Sequence, residues 1–246
     1  MTSYIVEVIF VLIESEDDRN VGSVARALTT MGYPNLRLVR PLCDHLSERA
    51  FALAHGSAKV LKDAEIFNSL EEATADCEIR VAATARHRKL ALRYHDVKEL
   101  PDLLAAKQTI VNRVAIVFGK ESSGLSNSDL CACEIVSTIP QACTFPSLNL
   151  SQAVMVYSYI LATESTKVLT KDRRLDQREV LPEEYQSLLK DIEDLCRNFK
   201  ISSALFETIK KRIAILTLSD LHVVYRFKTE LKAYLRRVGV IEEEND

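Results

Sequence analysis

The sequence predicts an α/β protein: a mainly parallel sheet with helices on both faces, followed by a small α-helical C-terminal extension. Three observations lead there. Short β-rich apolar runs alternate with helical patterns through the first two-thirds of the chain. Three of these strands end in a polar turn marked by Gly or Pro and pass directly into a helix. Beyond residue 166 only helical patterns remain.

Tyr4 to Ile13 is rich in β-branched and aromatic residues and reads as a central strand. Asn35–Val39, Ile79–Ala83, Val114–Phe118 and Ile135–Ile139 are the next strands. Helical patterns lie between them, at Val21–Met31, Ser47–His55, Leu70–Ala75 and Val97–Ala106. Asn149–Glu164 is a strong helix, because Leu150, Ala153, Val154, Tyr157 and Leu161 fall on one face at helical spacing. Alternation of this kind favours parallel strands covered on both faces. The charged stretch Lys167–Glu179 holds no aliphatic run and reads as a linker, with Pro182 opening the next helix. Glu183–Phe199, Ser202–Leu216 and Asp220–Val238 are helical, and Gly239 is the stop. The expected division is an α/β domain over residues 1–165 and a linker with helical extension over 166–246. The acidic end is expected to fray.

With 246 residues, 47% hydrophobic and 27% charged, the chain has the composition of a soluble globular protein. A net charge of −3 excludes a uniformly basic nucleic-acid coat. The charge is uneven, however. Residues 166–241 carry 16 Lys and Arg against 11 Asp and Glu, whereas residues 1–165 carry 16 against 20. A locally basic extension can bind a polyanion although the whole chain is slightly acidic. The apolar run Val8–Ile13 is too short to span a bilayer and lacks the flanks of a signal peptide, so a cytoplasmic protein without a membrane partner is expected. Cys43, Cys77, Cys131, Cys133, Cys143 and Cys196 fit neither a disulfide framework nor paired metal knuckles, and no metal is expected.

Three segments hold the polar residues a site needs. The first is Asn20-Val21-Gly22-Ser23-Val24-Ala25-Arg26-Ala27-Leu28. Arg26, among apolar neighbours, is a surface cation or an anion clamp, since a planar guanidinium matches phosphate. The second is Phe118-Gly119-Lys120-Glu121-Ser122-Ser123-Gly124-Leu125. Gly119 lets a ligand approach the backbone, Glu121 can accept hydrogen bonds, and Gly124 permits a turn. An ordinary structural turn would use the same residues. The third is Phe145-Pro146-Ser147-Leu148-Asn149-Leu150-Ser151-Gln152-Ala153. Ser147 and Asn149 stand near a helix start, where either can serve a site or simply cap the helix. An α/β sheet places its ligand site beyond the carboxyl ends of its strands, so three such turns suggest one composite site.

Together the three segments resemble, in order and spacing, the signature motifs of the SpoU family of RNA 2′-O-ribose methyltransferases, in the SPOUT superfamily. The likeness covers residues 4–165, and the helical extension is similar to that of the TrmJ/LasT-like branch. The resemblance implies a deep C-terminal trefoil knot in the sheet and a homodimer. It implies S-adenosyl-L-methionine as cofactor, held at Ala83, Thr84, Ala85, Gly119, Ile139, Ser147, Leu148 and Asn149. It also implies a catalytic group of Arg26, Asn20, Glu121, Ser147 and Asn149. Arg26 would contact the reacting ribose-phosphate, Asn20 and Glu121 would orient groups around it, and Ser147 and Asn149 would position cofactor or ribose. The implied substrate is RNA: tRNA in its anticodon-loop region first, rRNA as the alternative. Methyl transfer from a sulfonium to a 2′-hydroxyl needs alignment and loss of a proton. A guanidinium stays protonated at ordinary pH, so Arg26 as a base depends on help from an RNA phosphate.

Arg86, Arg88, Lys89 and Arg93 follow a strand assigned to the cofactor. Lys210, Lys211, Arg212, Arg226, Lys228, Lys232, Arg236 and Arg237 enrich the extension. Both sets are either RNA contacts or solvated faces. Two other function classes compete. A non-catalytic RNA-binding module that keeps the cofactor pocket would not require Arg26, Glu121, Ser147 and Asn149 to be intact. A dinucleotide-binding oxidoreductase would need a G-x-G-x-x-G turn after the first strand, which is missing.

Overall fold

The structure, a computed structural model, describes residues 6–85, 88, 92–107, 111–143, 147–169, 182–214 and 218–237. The chain divides into two compact units, Met1–Arg173 and Arg174–Asp246.

Among the described residues, seven strands build the first unit: β1 (Glu7–Ile13), β2 (Leu36–Val39), β3 (Glu65–Phe67), β4 (Ile79–Ala83), β5 (Tyr94–Asp96), β6 (Arg113–Phe118) and β7 (Ile135–Thr138). They form one sheet in the order β3-β2-β1-β6-β4-β7-β5, and every pairing is parallel. The chain first builds outward from β1 to β2 and β3. It then crosses to the other side of β1 for β4 and β5, and β6 and β7 insert into the gaps left beside β4. Two strands escape the sequence reading, β3 and β5, and they are the two edges of the sheet.

Around the sheet lie α1 (Asp18–Met31), α2 (Glu48–Ala54), α3 (Ala58–Lys62), α4 (Leu70–Ala73), α5 (Leu100–Ala105), α6 (Asn127–Ala132) and α7 (Leu150–Leu169). A 3-10 turn, Val97–Glu99, leads into α5. The helix expected over residues 149–164 thus continues to Leu169. The linker residues 170–179 lie outside the described residues.

β1 and β6 are apolar and buried almost throughout, as strands covered on both faces must be. Alternation divides their side chains between two layers. Ile9, Val11 and Ile13 join Ala115, Val117, Val136 and residues of α4 and α6 in one cluster. The opposite face meets α7, which packs on both α1 and α5. There Phe10 stacks on Phe118 at 6.2 Å, and Phe118 meets Tyr157 edge to face at 5.3 Å. Gly22 allows α1 to cross α2 closely, since a Cβ at that position would lie 2.2 Å from the Ala50 carbonyl oxygen.

The second unit holds α8 (Pro182–Asn198), α9 (Ser203–Ala214) and α10 (Leu218–Arg237). Asp191 of α8 accepts from Lys228 Nζ at 2.7 Å and Lys232 Nζ at 2.6 Å, tying α8 to α10. The two lysines are only 16% and 20% exposed at their side chains. They are internal ties of the unit rather than open surface cations.

Candidate active site

β6, β4 and β7 lie side by side, and parallel pairing brings their carboxyl ends to one edge of the sheet. A cavity of about 330 Å³ opens there. Ala83 at the end of β4 with Thr84 and Ala85 after it, the loop that begins at Gly119 after β6, and Ile139 and Gln141 after β7 form its walls, with the start of α7 closing it. Ala83, Thr84, Ala85, Gly119, Ile139, Ser147, Leu148 and Asn149, the positions assigned to a cofactor, all line it. Pro146 and Phe145 of the third segment lie outside the described residues.

Gly119 has a steric reason to be glycine. A Cβ there would lie 2.2 Å from Leu125 N and 2.3 Å from Gly124 C. The loop folds back so tightly because Gly124 takes a left-handed φ of +71° and its N–H donates to Lys120 O at 2.8 Å. Arg88 holds the same loop from outside, donating from Nη2 to Leu125 O at 2.7 Å. Arg88 therefore has a structural task, where the sequence offered an RNA contact. Arg93 is exposed, and Arg86 and Lys89 lie outside the described residues.

The three polar segments meet through side chains. Asn149 Nδ2 donates to Asn20 Oδ1 at 2.9 Å across 129 positions of sequence. Asn20 Nδ2 donates in turn to Glu121 Oε1 at 3.1 Å. The other oxygen of Glu121 accepts from Glu16 N at 3.0 Å, and Glu16 returns the favour by accepting from Ser122 N and Oγ. Glu121, Ser147 and Asn149 line the cavity, while Asn20 stands just behind its wall. Asn149 also caps α7: its Oδ1 accepts from Ser151 N at 2.9 Å, and Gln152 Oε1 accepts from Asn149 N. The one amide therefore caps the helix and also ties the third segment to the first.

Arg26 is not part of this group within one chain. It is exposed on α1 and does not line the cavity. Six residues of α-helix turn it about 240° around the axis from Asn20, onto another face.

Charge is organised at the rim. Glu14, in the left-handed region at φ +52°, follows β1 and pairs with Lys120 Nζ at 2.6 Å and Arg40 Nη2 at 3.0 Å. The Lys120 bond, then the Arg40 bond, holds the Glu14 carboxyl below its usual range. Lys120 is raised in return, so the cation on the cavity wall persists. Cys43 feels the charge of Glu121, but burial is the main cause that pushes its thiol up to about 11. It stays a neutral thiol and a poor nucleophile. Among the described residues no group of three His, Cys, Asp or Glu could hold a metal ion.

Lys120 and Tyr157 also line the cavity and went unassigned in the sequence. Lys120 lies inside the second polar segment, Phe118–Leu125. Tyr157 was hidden by its place in the apolar stripe of α7.

The model of the SpoU rRNA Methylase family matches residues 7–159, the whole sheet and the first half of α7. The chain belongs to this family. It is 32% identical over 224 residues to the uncharacterized tRNA/rRNA methyltransferase LasT of Escherichia coli (strain K12), covering 90% of this chain and 96% of that protein. It is 41% identical over 149 residues to the tRNA (cytidine/uridine-2′-O-)-methyltransferase TrmJ of Salmonella typhimurium (strain LT2), covering 61% of this chain and 60% of that one. Among solved structures, a probable methylase family protein from Haemophilus influenzae Rd KW20 superposes with a TM-score of 0.66 at 26% identity, covering 95% of this chain and 99% of that chain.

Proposed function

We propose that this SpoU-family protein transfers a methyl group from S-adenosyl-L-methionine to a ribose 2′-hydroxyl in RNA, with tRNA as the substrate class. The observation that carries this reading is the convergence of Asn20, Glu121 and Asn149 on one cavity at the carboxyl ends of β6, β4 and β7. The TrmJ relative, a tRNA (cytidine/uridine-2′-O-)-methyltransferase, supports tRNA. The fit to the cofactor rests on the protein itself. The cavity has the volume of a small-molecule site. Gly119 leaves its backbone open where any Cβ would collide with the loop. Ala83, Thr84 and Ala85 on one side and Ser147 and Leu148 on the other would hold the cofactor, which supplies an electrophilic methyl.

The chain's own residues then position and orient. Asn149 and Ser147 present short polar groups at the start of α7. Asn20 fixes the Glu121 carboxylate, whose remaining lone pairs can accept from a sugar hydroxyl. Arg26 contacts the ribose-phosphate as a permanent cation, and the proton leaves the hydroxyl with help from the RNA phosphate. Because Arg26 is exposed and off the cavity wall, it reaches the site of a second copy in a homodimer. The trefoil knot and a cytoplasmic setting belong to the same reading. So does a catalytic part over residues 1–165 with an RNA-contacting extension over 166–246.

The test is incubation of the full chain with methyl-labelled cofactor and total RNA, followed by mapping of ribose methylation. Label in tRNA at 2′-oxygens is the expected result. Label in rRNA alone would replace the substrate, and cofactor binding without transfer would favour the non-catalytic module.

A further inference from the structure

One buried polar atom on the cavity wall has no hydrogen-bond partner among the described residues. Tyr157 is 1% exposed and lines the cavity. It lies two turns of α7 past Asn149, about 12 Å along the helix axis, so it stands well inside the amide group at the helix start. Its hydroxyl makes no hydrogen bond among the described residues. The hydroxyl of Ser137 of β7, fully buried, is also without a hydrogen-bond partner among the described residues. The Ser137 hydroxyl lies near enough to oppose the rise that burial imposes on the Tyr157 phenol. The two do not meet in hydrogen-bonding geometry. A phenol kept from water without a partner carries a desolvation penalty and gains nothing for it.

The surroundings indicate what the hydroxyl meets. Phe118, Ile139, Leu150 and Ala153 give the cavity an apolar wall, whereas its charged residues, Lys120 and Glu121, sit on the loop after β6. A wall of that kind suits a flat heteroaromatic ring, and a lone hydroxyl in it suits the ring's polar edge. We propose that Tyr157 is a specificity-determining residue whose hydroxyl hydrogen-bonds the purine edge of an adenine nucleoside in this cavity. The assignment rests on the methyltransferase reading above and adds a residue to it.

Titration calorimetry on the full chain tests this, with Tyr157→Phe and Ser137→Ala beside the wild type. Two ligands are used: S-adenosylhomocysteine, and 5′-methylthioadenosine, which keeps the purine but lacks the amino-acid end. Tyr157→Phe should bind both about tenfold more weakly, the worth of one buried hydrogen bond. Without ligand it should melt no lower than the wild type, because only an unpaired hydroxyl has been removed. Ser137→Ala should leave both affinities unchanged. Equal affinities for wild type and Tyr157→Phe overturn the proposal. A loss confined to S-adenosylhomocysteine overturns it too, by moving the contact to the amino-acid end. Lower ligand-free melting in both variants with unchanged affinity makes the hydroxyls a structural pair, and again overturns it. A wild-type chain that binds neither ligand fails at the earlier step, the methyltransferase reading itself.

Discussion

Replacing Asn20 by alanine removes two hydrogen bonds at once, one from Asn149 Nδ2 at 2.9 Å and one to Glu121 Oε1 at 3.1 Å. A neutral bond of this kind contributes about 1 kcal/mol and one to a charged group about 1.5–3 kcal/mol, with partial exposure favouring the low end. Asn20→Ala should therefore cost about 2 kcal/mol. Asn149→Ala loses the shared bond and its cap on α7, the cap alone contributing about 1 kcal/mol, so it too should cost about 2 kcal/mol. The double variant loses the shared bond only once. It should cost about 3 rather than about 4 kcal/mol, a coupling of about 1 kcal/mol. Urea unfolding followed by circular dichroism measures all three, and both residues lie in the same unit. Turnover of Asn20→Ala should fall about 100-fold, because Glu121 loses its orientation without leaving the site. Additive costs within about 0.3 kcal/mol, or near-normal turnover, would refute the relay through Asn20.

Arg26→Ala should leave melting nearly unchanged, since exposed substitutions cost at most about 0.5 kcal/mol, and should abolish labelled methyl transfer; retained transfer removes Arg26 from the reaction. Gly119→Ala should abolish S-adenosylhomocysteine binding in calorimetry, because its Cβ meets backbone atoms of Gly124 and Leu125 rather than a movable side chain; normal binding would show that the loop yields without cost. Asp76 is held well below the usual carboxylate range, chiefly by its hydrogen bond with Arg37, and Asp76→Asn should cost about 1–2 kcal/mol at pH 7 after allowance for its exposure. A depressed folded pKa gives stability that is complete above the unfolded value of about 3.9 and is lost as pH falls through the folded value. The gap in urea midpoint between wild type and variant should hold from pH 7 to pH 5 and shrink below about pH 4; a gap that persists undiminished at pH 3 contradicts the linkage.

How far the sequence could be read depends on where each element sits. β1, β2, β4, β6 and β7 are interior strands, buried on both faces, and their apolar runs announce them. β3 and β5 each have three residues at an edge, and Tyr94-His95-Asp96 carries no apolar run at all. α6 has only six residues, too few to show a period. Its capping box of Ser126 and Asp129 was the available signal. The loops around the cavity were legible because Gly, Asn and Ser at strand ends have specific uses. Their mutual bonds were not, since nothing local in the sequence joins Asn20 to Asn149. Arg88 illustrates the opposite limit: a cation beside a site looks like a ligand contact until its carbonyl partners are seen.

A single carboxamide begins the twenty-residue α7 and also fastens that helix to α1. Its two ends cannot be tuned separately. Serine or aspartate at position 149 could still start the helix, yet neither offers the N–H that Asn20 receives. A sound helix beginning therefore tolerates several residues here, whereas the bond to Asn20 demands a side chain that both caps and donates. The first turn of α7 is thus a helix start and a wall of the cavity at once, and its fraying would open that cavity from within.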